Sequence, residues 1–179
     1  DVWETDGDPA EDLARRDFTV NALGLAFPGA RLLAPGSALE DLRARLLRLP
    51  RDGVLLEDPL RVARAARFLE RLPGFRIDPT MLPELLLAAP RLEGVAPERR
   101  LAELDAILSA GPRSAARALR QLEEWGALRS LLPGVPEAAR RRGIGLLRRA
   151  GDGAGPGLLR AFLLAPAGPG DGDEGQRDG

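Results

Sequence analysis

With 179 residues, 44% of them hydrophobic, the chain has enough apolar content for one domain, or one and a half, around a real core. It contains no Cys, His or Tyr, which excludes disulfides, thiolate and imidazole metal sites, His-based triads and phenolic nucleophiles. Any chemistry is thereby left to Asp, Glu, Arg, Asn, Ser, Thr and backbone groups, on a chain of net charge −1.

The opening DVWETDGDPAED, residues 1–12, is acidic and turn-like. LARRDFTVNALGLAF then runs from a short helical or turn segment into a strand expected over Ala22 to Phe27. Pro28-Gly29 reads as a tight turn and ARLLA as the returning strand, so a hairpin is predicted. Residues 38–46 read as a short helix, and LLRLP as a possible short strand. From Asp58 onward everything reads helical. Asp58 suits an N-cap and Pro59 the first helical position; Pro73-Gly74 ends that helix. Further helices are predicted at about 79–89, 97–109, 113–125 and 136–149, with a weaker one at 157–165. The Gly-, Pro- and Asp-rich tail is expected to be disordered. No signal peptide or membrane-length apolar run is visible, so a cytoplasmic protein without a membrane partner is expected.

The overall charge hides a segregation. Residues 1–12 carry six acids and no base, and residues 166–179 carry four acids and one Arg. Residues 13–77 hold twelve Arg against seven acids, and 111–165 hold ten against four. All 26 basic residues are Arg. Arginine suits bidentate phosphate binding, so a nucleotide or nucleic-acid partner is one reading; coding bias is the other explanation for the missing Lys.

Three stretches carry candidate chemistry. In RRDFTVNAL, residues 15–23, adjacent arginines offer phosphate or ribose donors, Asp17 accepts, and Asn21 does both; alone, it also reads as a polar turn before a strand. In EDPLRVARAAR, Asp58, Arg61, Arg64 and Arg67 share one helical face over about three turns. Asp58 and Arg61 form an acceptor–donor pair suited to a base edge, with Arg64 and Arg67 placed to neutralise triphosphate charge. A solvated face with Asp58 as a cap, or salt bridges from Arg64 and Arg67 to neighbouring helices, are the structural alternatives. In PERRLAEL, residues 97–104, Glu98, Arg99 and Glu103 read as a structural motif that knits helices together.

RRDFTVNAL, LEDLRARLLR, EDPLRVARAARFLERLPGFRID and PERRLAEL, in that order over residues 12–104, resemble the class II tRNA nucleotidyltransferase family. That family comprises the CCA-adding enzymes with their CC-adding, A-adding and bacterial poly(A) polymerase relatives. The resemblance implies that Arg16, Asp17 and Asn21 belong to the nucleotide-binding set, with Arg16 and Asp17 on sugar and phosphates. It implies that Asp58 and Arg61 read the base of CTP or ATP, with Arg64 and Arg67 binding the nucleotide further along the helix. It matches Glu98, Arg99 and Glu103 to a motif that braces the neck. The helices from about 79 onward then grip the tRNA acceptor end, with Arg140, Arg141 and Arg142 tracking RNA phosphates.

The family's chemistry uses an Asp-x-Asp after a Gly-Gly loop to hold Mg2+. Asp6-Gly7-Asp8 has the letters without the loop or the flanking strand, so no catalytic or metal residue is assigned, and this chain alone is expected to be inactive. The family's usual Asp is replaced by Ala34, which is expected to loosen the link between head and neck. The implied fold is α+β, mostly α. Residues 1–54 form the C-terminal part of a nucleotidyltransferase head, 55–110 the recognition helix and neck, 111–165 a partial helical body, and 166–179 the tail. The expected function is addition of C and/or A nucleotides to the tRNA 3′ end. A poly(A) polymerase, a single-specificity relative, or a non-catalytic RNA-binding helical module are the alternatives.

Overall fold

The computed structural model describes residues 8–150, together with 157 and 161. The helix expected at 157–165, the acidic start and the Gly-rich tail otherwise lie outside the described residues.

A short helix, α1 (Pro9–Ala14), leads into a 3-10 turn at Thr19–Asn21. β1 (Gly24–Ala26) and β2 (Arg31–Leu33) then form the expected antiparallel hairpin, with Leu25 opposite Leu32. α2 (Ala38–Ala44) is shorter than predicted, because Arg45 turns left-handed at φ 54° and releases Leu46–Leu47 as β3. A single turn, α3 (Val54–Glu57), precedes α4 (Leu60–Arg71). The Asp58 carboxylate accepts the Leu60 N–H at 3.3 Å, and Pro59 occupies the first turn, where its missing donor costs nothing. Gly74 closes the helix at φ 81°, and a Cβ there would lie 2.8 Å from Arg45 Nη1.

Beyond Asp58 the chain is not wholly helical. β4 (Arg76–Ile77) pairs in parallel with β3, Leu46 with Arg76 and Leu47 with Ile77. A two-residue strand shows no alternation in the sequence; its partner across the crossover decides it. Arg48 fastens this junction. Its guanidinium reaches Asp78 at 2.6 Å and Asp41 at 3.3 Å, and its carbonyl accepts the Thr19 N–H at 2.9 Å. Both carboxylates are buried. The Thr19 and Ser37 hydroxyls satisfy Asp41, and the hydroxyl and N–H of Thr80 satisfy Asp78, as buried carboxylates require.

The remainder is helical: α5 (Leu82–Ala88), a 3-10 segment at Ala89–Gly94, α6 (Pro97–Leu108), α7 (Pro112–Glu124), α8 (Ala127–Leu131) and α9 (Glu137–Arg149). α4 packs on α6 and α7, and α7 on α9. Fully buried alanines at 63 and 65 of α4 and 115 of α7 remove side-chain bulk where helices meet. One core runs from Phe18 through Leu55, Leu104 and Leu119 to Leu147. The α+β, mostly α fold is as expected.

Candidate functional site

The N-terminal half of α4 forms one wall of a cleft of about 550 Å³; the segment Arg15–Asn21 and Arg99 of α6 supply the rest. Arg16, Asp17, Asn21, Asp58, Arg61 and Arg64, far apart in sequence, all line it. Arg15, Leu60, Phe68 and Arg99 complete the lining. Five guanidinium groups face two carboxylates, a surplus of three positive charges.

Asp17 is the buried hub. Its Oδ1 accepts from Phe18 N–H at 3.1 Å and from the Asn21 amide at 2.7 Å, while Oδ2 accepts from Arg64 Nε at 2.7 Å. Arg64 is thereby held across 47 residues of sequence. Arg16 donates from Nη2 to Asp12 at 3.0 Å. Phe68 sits edge-on to Phe18, ring centroids 5.5 Å apart, and stiffens the floor between these segments. Arg61 gives Nη1 to the Val54 carbonyl at 3.1 Å, one of its five N–H donors. Asp58 lies between its own helix and Arg99, whose Nη2 donates to Oδ2 at 2.7 Å. The preceding Glu57 is held by the Arg51 fork at 2.6 Å on each oxygen; those hydrogen bonds, chiefly, lower its pKa from the ordinary carboxylate value.

Arg67 does not line the cleft, although it continues the same helical row. It is buried and donates from Nε and Nη2 to the two oxygens of buried Glu103, at 2.5 and 3.3 Å. This face of α4 turns gradually inward, so the third rung of the ladder meets α6 instead of solvent. Two guanidinium groups of the ladder, those of Arg64 and Arg67, bind carboxylates, one meets a carbonyl, and Arg71 is exposed. Of the structural motif, Arg99 and Glu103 both bond to residues at or on α4, while Glu98 is exposed.

Of the three arginines expected to track RNA, Arg140 does not fit that role. Arg140 is buried, giving Nη1 to the Val135 carbonyl at 2.7 Å and two further N–H groups to Glu123 at 3.3 Å. It fastens α9 to α7 instead of facing solvent. Arg141 is exposed and bridges to Glu137, and Arg142 is half-buried. A hollow of about 370 Å³ on the α7–α9 face is instead ringed by Arg113, Arg117, Arg120 and Arg148. The first three lie at i, i+4 and i+7 of α7, a spacing visible in the sequence; the contribution of Arg148 depends on packing.

No group of three or more acidic side chains among the described residues is arranged to hold a metal ion. Both cleft carboxylates are bonded to guanidinium groups, so they do not fit a divalent cation. No helix among the described residues is long and apolar enough to cross a membrane.

Residues 74–138 match the protein family described as "Probable RNA and SrmB- binding site of polymerase A". The multifunctional CCA protein of Xanthomonas campestris pv. campestris is 39% identical over 148 residues, covering 75% of this chain and 35% of that protein. The CC-adding tRNA nucleotidyltransferase of Shouchella clausii is 41% identical over 127 residues, covering 70% of this chain and 32% of that protein. The crystal structure of the Bacillus stearothermophilus CCA-adding enzyme in complex with CTP superposes with a TM-score of 0.64 at 34% identity. It covers 79% of this chain and 34% of that one. The chain thus spans about a third of the length of the curated relatives it matches. By sequence and by fold, it matches part of the CCA-adding enzymes of the class II tRNA nucleotidyltransferase family.

Proposed function

We propose that this chain is the nucleotide-selecting and RNA-facing part of a cytoplasmic tRNA nucleotidyltransferase that adds C and/or A to the tRNA 3′ end. The supporting observation is the convergence of Arg16, Asp17, Asn21, Asp58, Arg61 and Arg64 in one positively charged cleft. Cytosine and adenine both present an exocyclic amino donor beside a ring-nitrogen acceptor. Asp58 offers only acceptors and Arg61 only donors, so the pair complements either base and opposes uracil and guanine, whose edges are reversed. Arg16 and Arg64 lie in the same cleft, where positive charge suits the phosphates. Arg67 acts through Glu103 as part of the frame. The divalent ion that nucleotidyltransferases generally use is assigned no ligand in this cleft.

The RNA-facing surface is best placed on the α7–α9 hollow, in line with the RNA-binding family matched over residues 74–138. That match also favours a second reading, a helical module that binds RNA without selecting nucleotides. Equilibrium binding separates the two. Arg61→Ala is expected to weaken CTP and ATP binding by roughly tenfold, the effect of removing one charge-assisted contact, while sparing tRNA binding. Unchanged CTP and ATP affinity with tRNA binding intact would establish the module reading.

A further inference from the structure

Asp58 is held at both carboxylate oxygens. Oδ1 accepts the Leu60 N–H at 3.3 Å, and Oδ2 accepts Arg99 Nη2 at 2.7 Å from 41 residues away. An aspartate carboxylate otherwise turns broadly about its last torsion. Tethers at opposite oxygens fix its plane, and since a carboxylate offers about four lone-pair sites, two remain for a ligand. The anchor is itself secured. One turn after Arg99 on α6, Glu103 bonds to buried Arg67 of α4, so the helix carrying Arg99 is locked to the helix that Asp58 caps. The neighbouring carboxylate does not compete, because the Arg51 fork holds both oxygens of Glu57. Arg99 lines the cleft, with its side chain 55% exposed.

We infer that Arg99 is a positioning residue for base selectivity: it fixes where the acceptor oxygens of Asp58 stand. The inference rests on Asp58 and Arg61 reading the base edge. Freed from Arg99, the carboxylate can rotate toward the ring N–H of uracil or guanine. A merely structural role would weaken all four nucleotides together; a positioning role changes their ratios.

The test is equilibrium dialysis of the 179-residue chain with CTP, UTP, ATP and GTP, for wild type, Arg99→Ala and Arg99→Lys. Thermal melts verify the fold of each variant. Wild type should prefer CTP over UTP and ATP over GTP. Arg99→Ala should cut both ratios by about fivefold, the scale of a half-exposed ion pair. Arg99→Lys should restore part of them, since it keeps the charge without the planar fork. A selective wild type whose ratios survive in both variants overturns the inference and leaves base reading by Asp58 and Arg61 standing. A wild type that does not discriminate overturns both.

Discussion

Along α4, three arginines spaced by three residues meet three different partners. Arg61 finds a carbonyl, Arg64 a buried aspartate, and Arg67 a buried glutamate. Burial separates their energetics. The Arg64 side chain is 38% exposed, whereas Arg67 and Glu103 are 9% and 6% exposed, where removing one partner strands a charge. Arg67→Ala should therefore cost about 3–5 kcal/mol in urea unfolding, whereas Arg67→Met with Glu103→Leu should be nearly neutral. A loss below about 1 kcal/mol for the single variant would refute the framing role. The sequence showed that these arginines share a face, because helical spacing is local. It could not show which rung meets Glu103, 36 residues on, since that depends on how α6 crosses α4.

At the scale of elements, Pro and Gly punctuation made the hairpin and the long helices legible. Pro59, Pro97 and Pro112 stand at or near helix starts, and Gly74 follows an end. β3 falls within the short strand expected at LLRLP, whereas α3, α8 and β4 escaped, because segments of two to five residues carry no period to read. The β3–β4 junction brings a pH dependence. Asp78 is held below its ordinary carboxylate value, first by hydrogen bonds from the Thr80 hydroxyl and N–H and then by Arg48. Its folded pKa is therefore lower than its unfolded one. The stabilisation is whole above the unfolded value and is lost as pH falls through the folded one. Asp78→Asn should be less stable than wild type near pH 7, with the gap closing below about pH 4 as measured by urea midpoints. A gap that stays constant with pH would assign the contribution to geometry alone.

Over the whole molecule, the charge segregation seen along the sequence becomes two arginine-lined concavities, one at the start of α4 and one between α7 and α9. The density of positive charge was legible beforehand. Which arginines face outward was not, since Arg140 and Arg120 look alike until packing buries one of them. Replacing Arg113, Arg120 and Arg148 together by Ala should weaken tRNA binding. The slope of log affinity against log salt should become shallower by roughly 2–3, one increment for each phosphate that is no longer neutralised. An unchanged slope would place the RNA elsewhere.

The β1–β2 hairpin has a practical consequence. Among the described residues it is a two-stranded ribbon with a bare edge on either side, and it presents Leu25, Leu32 and Phe27 at 52%, 54% and 77% exposure. Bare edges beside greasy side chains are a template for clumping. The purified polypeptide should therefore crowd together through this ribbon, so its colloidal behaviour is governed by the hairpin and not by the arginine ladder.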